Sequence, residues 1–444
     1  MTAKGCANFT ELALYCLKNS DISPYEIIFI EQRIGDGNRQ LFEKFGARIF
    51  PAFKPGLAAA WNQGMKMARG DLLLFMHNDA LISADTLRVM QETVKGNVAA
   101  TGPFTYRTNS RSQAILTLPP YKNITELRQW KADVFEKEHK VKVPAVFLSD
   151  FCLMIDRRAW EKVGYFDESF SYSGYLGGDY TLRLRMAGFD LFTAPTYAHH
   201  NSGSYNELGL DREKVTYGES EVFRKKWGFN LTYSCGVRTE LVKLIDFDKP
   251  PKTVLEVGCS CGGTLMYLKF LLPQAKLYGI EINEGAAKIA SLVADVRNMD
   301  LETLDDPSFE HYFDCIIAGD VIEHLRDPWQ TVKNLAKCLK PGGELIISVP
   351  NVMHISNIFF TLNGRWDYRD FGILDRTHLR FFTRQTAVEM LEAASLKVTG
   401  IAGSMEYDKR LKAFAEKLAN MPEISSDIHE FGAVQWFIKA KALT

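Results

Sequence analysis

Val254-Leu255-Glu256-Val257-Gly258-Cys259-Ser260-Cys261-Gly262-Gly263 decides the fold of the second half of this chain. Apolar residues lead into an acid, then small residues and glycines, then a helix-like run from Leu265 to Leu272. That order spells a buried strand, a tight turn and a helix N-terminus. Glycines there let backbone approach a ligand closely, and the helix offers unpaired N–H groups. The next strand ends in Glu281, 19 residues past Gly262, where a carboxylate can hold both hydroxyls of a ribose. A dinucleotide would favour a full G-x-G-x-x-G. Here Ser260 replaces one glycine and Glu256 stands before the turn, which suits a cationic ligand.

The turn sits in mid-chain, so something else fills the first half. With 444 residues the chain exceeds the usual domain of about 100–200 residues, and two or three domains are expected. Apolar content of 46% and charged content of 24% are ordinary for a globular protein. A net charge of −1 gives no basic field for nucleic acid. The eight cysteines show no metal-knuckle spacing and read as reduced thiols. No apolar run approaches the ~20 residues of a membrane span, and the start lacks a signal-peptide core. The expected setting is cytoplasmic, with peripheral attachment to the inner face of a membrane through the substrate.

Short strands and helices alternate along the chain. In the first half, strands are expected at residues 26–31, 72–76, 146–156 and 190–194, with helices at 58–68, 178–187 and 211–227. Residues 104–145 read as a polar, irregular excursion. Residues 228–236 form the expected link between a domain at 1–230 and one at 236–444. Beyond it, a helix at 237–245 and the Lys249-Pro250-Pro251 breaker precede strands at 253–257, 276–281, 313–318, 343–349 and 433–441, with a helix at 409–419. The α/β alternation predicts a parallel sheet covered on both faces.

Four ordered stretches of the second half resemble the class I S-adenosylmethionine methyltransferases, with their Rossmann-like fold. They are Val254 to Gly263, Gly279-Ile280-Glu281, Asp314 to Leu325, and Lys340-Pro341-Gly342-Gly343. The resemblance implies that Glu256, Gly258, Ser260 and Gly262 surround the methionine part of S-adenosylmethionine. Glu281 then holds the ribose, Asp300 with Met299 flanks the adenine, and Ala318 to Asp320 line the far wall. A later run, Gly364 to Tyr368 and Asp375 to Phe382, mixes His, Asp and Arg with aromatics and is similar to methyltransferase modules attached to glycan-assembly enzymes. O-methylation needs a base near the acceptor hydroxyl, and His is suited to that near neutral pH. His324, His354 and His378 are the candidates. His378 is favoured, because Asp375 lies one helical turn away in sequence.

The first half carries Ile34-Gly35-Asp36-Gly37-Asn38, Lys54 to Gly64, Leu74 to Asp79, Phe151 to Ile155, Gly178 to Phe189 and His199 to Ser204. This succession resembles the family 2 glycosyltransferases of GT-A fold, particularly rhamnosyltransferase-like members. The resemblance implies donor contacts at Glu31, Asn62 and Asp79. Asp79 is the retained carboxylate of an Asp-x-Asp metal motif for Mg²⁺ or Mn²⁺, with His199 or His200 as a third ligand. Asp179 is the base candidate for an inverting transfer. Departures accompany the match: His77 replaces the first Asp of the metal motif, and Gly178 replaces the Glu before Asp179. Asn8 stands where the family's first strand ends, and only seven residues precede it, so that strand is expected to be missing.

Together these readings predict a bifunctional glycan-assembly enzyme of polysaccharide biosynthesis. One half transfers sugar from a nucleotide sugar; the other methylates a sugar hydroxyl of a glycan or glycolipid acceptor, and a homodimer is compatible. In one alternative the first half only binds acceptor or braces an oligomer. In another the methyl goes to a small molecule or protein.

Overall fold

The computed structural model describes residues 7–23, 25–32, 37–106, 108–115, 121–172, 174–201, 211–406 and 409–443, and the chain divides into two compact units, Met1–Val237 and Arg238–Thr444. Ile34 to Asp36 and Ser202 to Ser204, which belong to the first-half motifs, lie outside the described residues.

The first unit has two sheets. Strands β1 (Ile28–Glu31) and β2 (Arg48–Pro51) form a parallel pair. The larger sheet runs β3-β7-β5-β8-β4, built from β3 (Leu72–Met76), β4 (Ala80–Ile82), β5 (Val98–Phe104), β7 (Cys152–Asp156) and β8 (Asp190–His200). The two residues of β6 (Val143–Pro144) pair with β8. Among the described residues β1 and β3 do not pair with each other, and both line a cavity of about 430 Å³ with Trp61 and Met65. Helix Leu57–Met67 begins at Gly56, whose φ of 116° only glycine adopts readily. It turns Trp61 inward, 5.0 Å from the Phe75 ring and 5.3 Å from Phe166.

The excursion at 104–145 is more ordered than its polarity implies. Asn123 caps helix Ile124–Trp130 by accepting from the N–H groups of Thr125 and Glu126. The inward stripe is Leu127, Lys131 and Phe135, all buried, and Lys131 reaches Asp85 at 2.5 Å. A lysine in the core stripe breaks the apolar period that would have announced this helix.

The second unit is one seven-stranded sheet in the order β11-β10-β9-β12-β13-β15-β14. Its strands are β9 (Thr253–Val257), β10 (Lys276–Glu281), β11 (Asp295–Asn298), β12 (Phe313–Ala318), β13 (Leu339–Pro350), β14 (Leu396–Met405) and β15 (Ala433–Ala442). The central strands are parallel and buried on both faces, hence near-continuous apolar runs. The expectation of a wholly parallel sheet fails at one edge, where β15 runs antiparallel to both β13 and β14. The helix expected at 237–245 shortens to Thr239–Val242. No helix among the described residues is long and apolar enough to cross a membrane.

Seven cysteines fall among the described residues, and all are buried with no disulfide. Burial pushes the thiols of Cys152 and Cys315 up to about 12 and that of Cys338 to about 11.

Candidate active sites

Register places the second unit's site. Val257 is opposite both Ile280 and Ala318, so β9, β10 and β12 end flush and release Gly258, Glu281 and Gly319 along one carboxyl edge. The turn after β9 needs three left-handed residues: Gly258 at φ 64°, Ser260 at 48° and Gly262 at 73°. A Cβ on Gly258 would stand 2.4 Å from Cγ2 of Val321. Ser260 tolerates its conformation with help from Glu281, whose Oε2 accepts the Ser260 N–H at 2.8 Å. Oε1 of Glu281 accepts the Asn283 N–H at 2.7 Å. Each oxygen keeps a further lone pair for a ligand hydroxyl. The Met299 N–H donates to the Glu281 carbonyl, which draws residues 299 and 300 toward the same edge. Asp300 itself caps the short turn Leu301–Thr303 through the Glu302 N–H.

Glu256 is the least satisfied group of this edge. It is buried, and its Oε2 has no hydrogen-bond partner. Burial pushes its carboxyl up to about 8, against the pull of the Thr264 hydroxyl and the nearby Arg238. An ammonium brought by a ligand supplies what it lacks. Asp320, at φ 54°, is fixed by Ser348, Gln435 and Arg238: Oδ1 accepts Ser348 Oγ at 2.9 Å and the Gln435 amide, and Oδ2 pairs with the Arg238 guanidinium. Sequence reasoning found Asp320 and missed these three partners, which lie far away along the chain and carry no local pattern. Ala318 is fully buried and shapes the edge through its backbone.

The three histidine candidates separate. His354 uses both ring nitrogens on Ser356 Oγ and the Glu406 carbonyl and starts helix Ile355–Leu362, a structural post. His324 and His378 come together, with ring centroids 4.8 Å apart. Nδ1 of His324 lies 3.2 Å from the Thr377 carbonyl, and Nδ1 of His378 lies 3.0 Å from that of Ile373. Burial pushes the pKa of His378 down, favouring neutral imidazole. The helical spacing expected between Asp375 and His378 is absent, because the segment is a loop and Asp375 Oδ1 accepts from Thr377 instead. That loop is tied to Glu323, whose carbonyl accepts the N–H groups of Leu379 and Arg380.

In the first unit, His77 and Asp79 follow β3, and β8 brings His200 opposite Ala80. His200 Nε2 lies 3.5 Å from Asp79 Oδ1. Burial alone would raise the Asp79 carboxyl, but the hydrogen bond and charge of His200 with the field of His77 outweigh it and hold it at about 2. His77 is half-buried, its desolvation pushes its pKa down, and its Nε2 has no hydrogen-bond partner. One ligating atom from each of His77, Asp79 and His200 lies within 4.8 Å of the others, a donor set that fits a divalent cation. His77, a departure from the motif in sequence, thus joins the cluster. His199 does not: alternation along β8 turns it to the Tyr121 hydroxyl at 2.5 Å.

Three further first-half candidates hold contacts within the fold. Asp179 is fully buried, with Arg183 at 3.1 Å, Lys226 at 2.7 Å and the Trp227 indole N–H at 2.9 Å on its oxygens. Asn62 brackets Phe166, exchanging hydrogen bonds with its N–H and carbonyl. Glu31 pairs with Arg39 at 2.8 Å. The carboxylate beside the cluster is Asp150, fully buried and 4.0 Å from His77 Nε2. Gly177 of helix Leu176–Met186 makes room for it, since a Cβ there would stand 2.8 Å from that of Asp150.

Comparison with known proteins gives two matches along the chain. Residues 1–164 match the family model described as glycosyl transferase family 2, and residues 230–400 match a methyltransferase domain. Over 171 residues the chain is 26% identical to a ubiquinone biosynthesis O-methyltransferase of Nitrosomonas europaea, covering 37% of this chain and 71% of that protein. It is 32% identical to the Marinobacter nauticus protein of the same name, again over 171 residues with 37% and 71% covered. Among solved structures it is similar to a SAM dependent methyltransferase from Archaeoglobus fulgidus, at 20% identity and a TM-score of 0.34, covering 50% of this chain and 98% of that one.

Proposed function

The second half of this chain belongs to the S-adenosylmethionine-dependent methyltransferases and its first half is a family 2 glycosyl transferase domain, and from that premise we propose a glycan-assembly enzyme with two transfer sites. The first site moves a sugar from a nucleotide donor. The second methylates a sugar hydroxyl. Linking them lets one acceptor meet both sites at raised effective concentration. The reading carries a cytoplasmic setting, with the acceptor presented at the inner face of a membrane.

One observation carries the glycan acceptor: the opening beside His378. A cavity of about 600 Å³ is lined by Tyr368, Arg376, His378, Leu379 and Phe381. Trp366, Tyr368 and Phe371 are exposed around this loop. Aromatic faces with interleaved Arg and His suit a ring that is apolar on its faces and hydroxylated at its rim.

S-adenosylmethionine supplies the methyl group when bound. Glu256 would meet its ammonium, Glu281 its ribose hydroxyls, and Met299 with Asp300 would flank the adenine. In the first half His77, Asp79 and His200 would hold a divalent cation against the donor's diphosphate, and Asp150 takes the base's place from Asp179. A phenolic acceptor is the second reading, favoured by the exposed Phe371 and Leu379 and by the names of the curated relatives.

Labelled S-adenosylmethionine offered with isolated glycans and with a catechol separates the two. Label is expected in the glycan. Label in the catechol alone would overturn the glycan acceptor. In calorimetry with Mn²⁺ the chain is expected to bind a nucleotide sugar; no binding would reduce the first half to a glycan-presenting module.

A further inference from the structure

We propose that the methyltransferase half holds a divalent transition-metal ion of its own, on Glu323, His324 and His378, and that this ion binds the acceptor's hydroxyls. One ligating atom from each of the three residues lies within 4.8 Å of the others. Two further observations point to a ligand. Glu323 is 1% exposed, and its Oε2 has no hydrogen-bond partner. Both imidazoles are held by backbone carbonyls at Nδ1, of Thr377 and Ile373. If each Nδ1 carries the proton, Nε2 presents its lone pair, the arrangement in which metal-binding histidines are commonly found.

The ligand count sets the chemistry. One carboxylate and two imidazoles favour Mn²⁺, Zn²⁺, Co²⁺ or Fe²⁺ over Mg²⁺, which prefers oxygen. Three protein ligands leave positions open for the acceptor, as in catalytic rather than structural sites. The cavity lined by His378 opens there. Such an ion grips two neighbouring hydroxyls and lowers the pKa of the attacking one. The acceptor is therefore a vicinal diol. In the balanced step the attacking hydroxyl gives its proton to solvent, its oxygen forms the new O–C bond, the C–S bond of the cofactor breaks, and sulfur leaves as a neutral thioether. This refines the methyl-transfer reading above and rests on it, while ion binding itself can be read without any acceptor.

Crystals of the full chain soaked in Mn²⁺ and measured for anomalous scattering locate the ion without interference from the cluster at His77. A peak bounded by Glu323, His324 and His378 is expected. Glu323→Gln and His378→Ala are each expected to remove the peak and weaken that site's Mn²⁺ affinity more than about 10-fold. Their circular dichroism and their S-adenosylmethionine affinity are expected to stay unchanged. No peak at this place, or a peak indifferent to both substitutions, would overturn the site. Full methyl transfer by chelator-treated, metal-free chain would overturn the ion's role and leave the methyltransferase reading standing. Loss of cofactor binding in the unsubstituted chain would instead sink the reading beneath.

Discussion

Glu256→Gln is expected to weaken S-adenosylmethionine binding by about 10- to 100-fold, the loss of a buried charge-assisted hydrogen bond of roughly 1.5–3 kcal/mol. The side chain keeps its shape, so the fold and the left-handed turn after β9 stay. The effect carries a pH signature. In the free protein burial pushes the Glu256 carboxyl up to about 8, so at neutral pH it is mostly protonated. A cationic ligand favours the ionised form, so binding near neutral pH releases a proton, and affinity rises as pH climbs toward that value. The free fold runs the other way. It binds this proton more tightly than the unfolded chain does, so this group's contribution to stability is full below the usual carboxylate range. That contribution is lost as pH rises to about 8. Calorimetry in two buffers of different ionisation enthalpy measures the release. Glu256→Gln is expected to abolish it, and an unaltered proton count would show that the carboxylate does not meet the ligand's charge.

Asp79→Asn is expected to lower sugar transfer by about 100- to 1,000-fold, the usual cost of removing one electrostatic stabiliser, and to leave methyl transfer intact. Asp179→Asn is expected to fail differently. Asp179 lies fully buried against Arg183, Lys226 and the Trp227 indole, so neutralising it weakens charge-assisted contacts and costs about 1.5–3 kcal/mol of the first unit's stability. Its thermal unfolding should move several degrees lower. Scanning calorimetry with both transfer assays checks the pair. An Asp179→Asn chain of unchanged stability that has lost sugar transfer alone would restore Asp179 as the base.

What was legible in the sequence was local. The strand, glycine turn and following strand from Thr253 to Glu281 announce themselves within one supersecondary unit, and their residues do meet at one edge. Asp320 was visible in its motif, but its partners Arg238 and Gln435 come from the two ends of the unit and only the folded sheet assembles them. His77 read as a broken motif because the template there was a carboxylate; an imidazole offers a lone pair from the same place. Asp179 was legible as a residue in the first turn of a helix pattern, while its neighbours Arg183, four residues on, and Lys226, far along the chain, meet it only in the fold. The antiparallel edge of β14 and β15 was hidden because α/β alternation predicts order along the chain and not strand direction at a border.

The buried thiols provide a built-in stopwatch. Cys16, Cys152 and Cys235 lie in the first unit and Cys259, Cys261, Cys315 and Cys338 in the second, none of them at the surface. An alkylating reagent needs access to the sulfur, and these side chains offer none until their own unit opens. In rising urea, mass spectrometry of alkylated peptides is expected to show each set reacting as a group. Each half thereby reports its own unfolding without a dye, a tag or an assay for what it makes.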